Sequence, residues 1–218
     1  MMRRLLMVMA AAGASASADV PKMGGEMNHI LVSVFQKTVY VGIERPEELP
    51  LDLYNYREHY DGAASVLDRS GYNSQLGWLA NGFISLPPDA EMWVEAIHRD
   101  AGLRAYGELG FEPILGTPGS STRWVWNGTM THNWYAASAL GTYNASYRVY
   151  VGTWAGDLYP GYTPGFIALS WEYLRGGLGG VFGSGVIGAE DVSRVPSPDG
   201  LALVGGSLGG LLVRRRRA

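Results

Sequence analysis

The densest run of aromatic residues lies at positions 123–135, where the sequence reads RWVWNGTMTHNWY. Trp124 and Trp126 are two residues apart, so on a β-strand their rings share one face. If that face is exposed, the two indole rings form a platform on which sugar rings can stack. Large aromatic side chains also fill the space between β-sheets, and their burial dominates core energetics. We therefore favour the core for both rings and keep them as candidate ligand-facing residues.

His132 lies in the same run and is the third candidate ligand-facing residue. A metal site needs at least two further ligands from other parts of the chain. The remaining histidines, His29, His59 and His98, show no ligand spacing among themselves, and HExxH and His-x-His patterns are absent. We expect His132 to be a hydrogen-bonded structural residue, and we expect no metal and no cofactor.

The sequence restricts the classes of enzyme that the chain could belong to. It contains no cysteine, which rules out thiol catalysis and cysteine-ligated zinc. A glycoside hydrolase needs two carboxyl groups, and the separation that identifies them is spatial. Such a pair stays open among six acidic residues, Glu91, Glu95, Glu108, Glu112, Asp157 and Glu172. We expect no enzymatic activity, with a carbohydrate-binding module or carbohydrate-active enzyme as the alternative.

Charge is distributed unevenly along the chain, whose formal net charge is -3. Six of the 17 basic residues stand at the two ends, whereas all 20 acidic residues lie within positions 19–199. Residues 19–213 therefore carry 11 basic and 20 acidic side chains, a net charge of -9. Because this body repels phosphate backbones, we expect no nucleic-acid partner.

The composition of residues 19–174 indicates an all-β body. Residues 29–35 and 38–43 are β-rich runs separated by Gln36 and Lys37, which predicts a hairpin. Residues 143–151 and 166–174 are the clearest strands, and the second alternates apolar with small or polar residues. The whole pattern predicts an antiparallel β-sandwich, jelly-roll-like in connectivity.

Two further segments complete the organisation of the body. The segment 89–101, DAEMWVEAIHRDA, is compatible with a helix or a strand, and we favour a strand because strands dominate its surroundings. Residues 175–194 are rich in glycine, which predicts a linker that follows the body.

The first 18 residues have the pattern of a secretory signal. Arg3 and Arg4 precede an apolar stretch, and small residues lead to Ala16 and Ala18, an A-x-A cleavage pattern. We expect an N-terminal signal helix that signal peptidase removes, which leaves Asp19 as the first residue of the exported chain.

The last 24 residues, 195–218, combine three features in a fixed order. Val195, Pro196, Ser197 and Pro198 form a proline-flanked motif, and residues 201–213 form an apolar run. The run ends at four consecutive arginines, Arg214, Arg215, Arg216 and Arg217. A stable membrane-spanning helix needs about 20 apolar residues, so this short hydrophobic helix suits transient membrane insertion, with the arginines retained on the cytoplasmic side.

This tail resembles the PEP-CTERM sorting signal, which a membrane protease-transpeptidase called exosortase reads. Ser197 stands where the motif of that family usually carries glutamate. The resemblance covers the tail alone and implies an exported protein, held transiently at the inner membrane and then placed at the cell surface or outside the cell. It implies an exosortase-type enzyme as a partner, and extracellular polysaccharide as the surroundings of the body. We therefore expect a non-enzymatic cell-surface or extracellular-matrix protein.

Overall fold

β-Strands and their connecting loops make up nearly all of residues 20–175, the part of the chain that this computed structural model describes. The predicted signal, its cleavage position at Asp19, the glycine-rich residues from 176 onward and the sorting tail lie outside the described residues. Within residues 20–175 there are two short 3-10 helices, Pro46–Glu48 and Gly62–Leu67. The strands are β1 Asn28–Phe35, β2 Thr38–Ile43, β3 Leu51–Asp52, β4 Gly71–Asn73, β5 Leu76–Ala80, β6 Ala90–Arg99, β7 Leu103–Tyr106, β8 Pro113–Ile114, β9 Arg123–Trp126, β10 Trp134–Ala137, β11 Gly141–Thr153 and β12 Gly165–Tyr173.

The strands form three sheets, which confirms the all-β prediction. The first sheet has the order β2-β1-β5, the second β4-β10-β7-β8, and the third β3-β12-β11-β6-β9. Most neighbouring strands are antiparallel, as predicted. Two pairs, β1 with β5 and β12 with β3, are parallel, so the prediction of a purely antiparallel body is wrong at these edges. Parallel neighbours need a long connection between them; the chain runs through β2, β3 and β4 between β1 and β5, and through β4 to β11 between β3 and β12.

The predicted hairpin is present in the first sheet. β1 and β2 pair antiparallel up to Phe35 and Thr38, with only Gln36 and Lys37 between them. Both turn residues have positive φ, 48° and 64°. Positive φ at both central positions defines a type I′ turn, whose twist matches that of the flanking strands. The turn is therefore held by the pairing of β1 with β2 although neither residue is glycine or asparagine.

The ambiguous segment 89–101 is a strand, as predicted, because it is enclosed by partners. β6 lies between β11 and β9 in the third sheet and pairs with both. Met92 and Val94 are buried on the core side, whereas Ile97 is exposed near a break in the β11 register between Ser146 and Tyr147. Sheet hydrogen bonds on both sides outweigh the weak helical preference of the segment.

The main core takes side chains from all three sheets. Tyr135 of β10 stacks on Trp171 of β12 with ring centroids 4.6 Å apart, which joins the second sheet to the third. Trp78 of β5 meets Tyr147 of β11 edge to face at 6.0 Å, which joins the first sheet to the third. All four rings are fully buried, so these contacts carry much of the hydrophobic free energy of folding.

A second, smaller cluster of buried residues is built around tyrosines. Tyr60 and Tyr72 lie edge to face and their hydroxyl groups are hydrogen-bonded to each other. Burial raises the pKa of Tyr72 to about 12, and burial also raises the pKa of Tyr60, helped by its hydrogen bonds to Tyr72 and Glu58. In the main core, burial raises the pKa of Tyr135 to about 12. Burial in the fold therefore favours the protonated form of these tyrosines.

Relief of the strained turn should stabilise the protein. Lys37→Gly removes the Cβ that disfavours positive φ, and we expect the free energy of unfolding to rise by about 0.5–1 kcal/mol. Lys37→Ala is the matched control, because it removes the same long side chain but keeps the Cβ. Urea titration followed by tryptophan fluorescence measures both variants. Equal stability of the Gly and Ala variants would contradict the role assigned to positive φ.

Alkaline pH should unfold the protein through these tyrosines. Below pH of about 10, the ordinary pKa of tyrosine, both states are protonated and stability stays constant. Between about 10 and 12 the unfolded chain loses phenolic protons that the folded chain retains, so the free energy of unfolding falls. Urea midpoints measured from pH 8 to 12 test this, and Tyr135→Phe should make the decline shallower. A decline of the same steepness in that variant would remove Tyr135 from the explanation.

Candidate functional site

Trp124 and Trp126 of the aromatic run lie on β9 and turn towards the core. Trp126 is 1% exposed and its indole Nε1 donates to the carbonyl oxygen of Thr129 at 2.7 Å. Trp124 is partly buried and packs on the main core. Both rings contact the buried ring of Trp78, with centroids 6.3 and 6.5 Å away. The exposed platform considered in the sequence analysis does not form, because pairing of β9 with β6 directs these rings inward.

A groove lies beside β9 and has Trp126 in its lining. Its volume is about 460 Å³. The loop between β5 and β6 supplies one wall, with Phe83, Ile84 and Leu86, and Met92 of β6 lies below them. Glu91 and Asn127 add a carboxylate and an amide to this mostly apolar lining. The groove thus combines an aromatic surface with a small number of polar groups, as ligand sites usually do.

Phe83 is the most unusual residue of this groove because its side chain is 91% exposed. An exposed phenyl ring has lost no hydration to the fold, so its area is free to be buried against a ligand. At the opposite wall, the Oδ1 atom of Asn127 accepts hydrogen bonds from the backbone N–H of Thr129 at 2.9 Å and from its hydroxyl at 2.6 Å. These bonds hold the amide in one orientation beside the groove.

His132 lies in the interior, 3% exposed, where the chain crosses between β9 and β10. Its Nδ1 is 2.9 Å from the carbonyl oxygen of Ser74, and the Ser74 hydroxyl donates to the His132 carbonyl at 2.9 Å. The two residues therefore tie their segments together by a pair of reciprocal hydrogen bonds. This position removes His132 from the surface.

A second histidine that sequence reasoning missed, His29, lies against His132. Their ring centroids are 5.8 Å apart and the rings are inclined by 72°. His29 on β1 is paired with Gly77 on β5, and a Cβ at Gly77 would lie 2.6 Å from Nε2 of His132. The ring of His132 therefore occupies the space that a side chain at position 77 would fill. The one local signal was a glycine inside an apolar strand, which marks a close approach.

The two imidazoles share an unusual hydrogen-bonding state. Nδ1 of His29 lies 2.6 Å from a carboxylate oxygen of Glu44, and Nδ1 of His132 faces the Ser74 carbonyl. The Nε2 atoms of both rings are buried and find no hydrogen-bond partner within residues 20–175. His29 also lines a second, open groove of about 560 Å³ together with Met23, Met27 and Glu44.

Two of the six acidic candidates have defined surroundings. Glu95 is ion-paired with Arg148, whereas Glu91 lies in the groove beside β9. Among the described residues, no group of three or more histidine, aspartate or glutamate side chains is arranged to hold a metal ion. Helices long and apolar enough to cross a membrane are not found in residues 20–175.

The residues predicted for cleavage and sorting lie outside the described residues. They are Ala16, Ala18, Asp19, Val195, Pro196, Ser197, Pro198, Arg214, Arg215, Arg216 and Arg217. Comparison of the chain with protein-family models, with curated proteins and with solved structures finds no match.

Proposed function

We propose that this chain is a non-enzymatic exported protein of the bacterial cell surface or extracellular matrix, and that its β-rich body binds extracellular polysaccharide. The observation that carries the binding proposal is the groove beside β9, which the 91% exposed ring of Phe83 lines together with Glu91 and Asn127. The location rests on the two chain ends.

The support for export and sorting comes from the order of residues at each end. Arg3 and Arg4, an apolar stretch and the A-x-A pattern resemble a secretory signal. The proline-flanked motif, the apolar run and the four terminal arginines resemble a tail that an exosortase-type enzyme processes after transient insertion in the inner membrane. Signal peptidase and that enzyme are the partners this route requires.

The support for a carbohydrate ligand comes from the chemistry of the groove. Sugar rings carry C–H groups on their faces and hydroxyl groups on their edges. An exposed aromatic ring packs on such faces, while a carboxylate and an amide accept or donate hydrogen bonds at the edges. Trp126, which also lines the groove, is held by the core and by its hydrogen bond to Thr129, so this part of the lining is fixed.

We also propose that the three sheets form a β-sandwich around their shared core. The stacked pair Tyr135 and Trp171 and the edge-to-face pair Trp78 and Tyr147 each join side chains from different sheets. Inner faces that interdigitate in this manner are typical of sandwiches. A terminal signal helix and a short hydrophobic helix on either side of the body complete this proposal.

Replacement of Phe83 should weaken polysaccharide binding without affecting the fold. We expect Phe83→Ala to bind the extracellular polysaccharide of the native host about 10-fold less tightly, equivalent to about 1.4 kcal/mol. Phe166→Ala is the matched control, because Phe166 is 60% exposed on β12 and does not line the groove. Microscale thermophoresis with size-fractionated polysaccharide gives both affinities.

Two results would contradict the binding proposal. Equal affinity of the Phe83 and Phe166 variants would remove the groove as the binding site. New reducing ends released from the polysaccharide by the purified protein would show that the body is a carbohydrate-active enzyme.

The masses of the mature protein test the location independently of any ligand. We expect protein recovered from the host surface and medium to begin at Asp19 and to end near residues 195–198. Replacement of Arg214, Arg215, Arg216 and Arg217 by glutamine should leave export intact and reduce processing or retention. Intact-mass spectrometry and surface yield measure both. A mature chain that keeps Met1 or the arginines, or an unchanged surface yield of the glutamine variant, would contradict the proposed route.

A further inference from the structure

His29 and His132 present two hydrogen-bond acceptors in the same buried place. A neutral imidazole carries its proton on one ring nitrogen and a lone pair on the other. Since Nδ1 of each ring faces an oxygen that can only accept, the Glu44 carboxylate or the Ser74 carbonyl, the proton lies on Nδ1. Both Nε2 atoms therefore keep a lone pair directed away from these partners.

This arrangement is costly for the protein by itself. Both Nε2 atoms are buried and without a partner among residues 20–175, and an unsatisfied buried polar atom costs about 1–3 kcal/mol. Nearby Asn28 shows the usual alternative, because its fully buried amide makes four hydrogen bonds. Two unused lone pairs on neighbouring buried rings fit a cationic ligand that both rings bind.

The hydrogen bonds at Nδ1 are those that metal-ligating histidines make. Such histidines almost always donate their second N–H to a carboxylate or a backbone carbonyl, which fixes the ring and raises its basicity. The Glu44 carboxylate accepts such a hydrogen bond from His29, and the Ser74 carbonyl accepts one from His132. The separation of 5.8 Å between ring centroids also places two imidazoles at a spacing that one ion can bridge, given a metal–nitrogen distance of about 2 Å.

The type of ligand that His29 and His132 provide indicates which metal ion binds. Imidazole suits zinc, copper and nickel, and affinity in a given site rises to its maximum at copper. Oxygen-seeking Mg²⁺ and Ca²⁺ have no comparable ligand set at this pair.

We propose that His29 and His132 bind one copper ion through their two Nε2 atoms. Glu44 and Ser74 are positioning residues, and Gly77 makes the room that the ring of His132 needs. His29 also lines an open groove, and the ion enters from that side. Water completes its coordination. This inference goes beyond the proposed function and does not depend on it, because His29 and His132 do not line the groove beside β9.

The test is titration of the purified full-length chain with copper(II) chloride in a glycine buffer, which suppresses weak binding. Equilibrium dialysis should give one copper per chain, and pulsed electron paramagnetic resonance should detect two imidazole nitrogens as ligands. His29→Gln should lose about 100-fold or more in affinity and show one imidazole. Gly77→Ala should also lose binding, because the new Cβ displaces the ring of His132.

One milder variant and two controls keep the test decisive if either of these variants fails to fold. Glu44→Gln retains an oxygen for the His29 N–H but removes the charge, and we expect about a 10-fold loss of affinity. His59→Gln and His98→Gln are the matched controls, because the side chains of His59 and His98 are 81% and 61% exposed. Both controls should bind copper as the wild type does.

Three results would overturn the inference. The first is absence of bound copper after dialysis. The second is binding that survives in the Gly77 and Glu44 variants with unchanged affinity. The third is loss of binding in the His59 or His98 control, which would place the metal at surface histidines.

Discussion

The burial of Trp78 is the constraint on which the rest of this body depends. Its ring is fully buried and meets Trp124, Trp126 and Tyr147, which belong to two strands of the third sheet. The backbone of Trp78 also pairs with Thr131 through two hydrogen bonds of 2.9 and 3.1 Å. One residue of β5 therefore joins the first sheet to the third and holds the segment that leads to His132.

The alternation of side chains along β5 extends this effect to the opposite face. Because successive residues of a strand point to opposite faces, Trp78 enters the main core while Gly77 faces the histidines. The glycine leaves space, His132 fills it, and His29 lies beside it on the paired strand. The large side chain of Trp78 thus organises the core on one face of β5. The missing side chain of Gly77 leaves room for the two histidines on the other face.

The same core also shapes the groove beside β9. Trp126 packs against Trp78, and Ile84 and Leu86 of the loop between β5 and β6 pack on the core and line the groove. Phe83 is excluded from this packing and stays in solvent. The contrast between buried and exposed aromatic residues here arises from sheet pairing, since all are large apolar side chains in similar stretches of sequence.

Local patterns in the sequence determined the hairpin at Gln36 and Lys37, the strands β11 and β12 and the all-β class, because alternation and turn chemistry act between near neighbours. The strand at residues 89–101 followed from its surroundings. The inward direction of Trp126 and the meeting of His29 with His132 were decided by tertiary structure alone. Both depend on which strands become neighbours, and that order is set by the packing of distant apolar faces around Trp78, for which no local pattern exists.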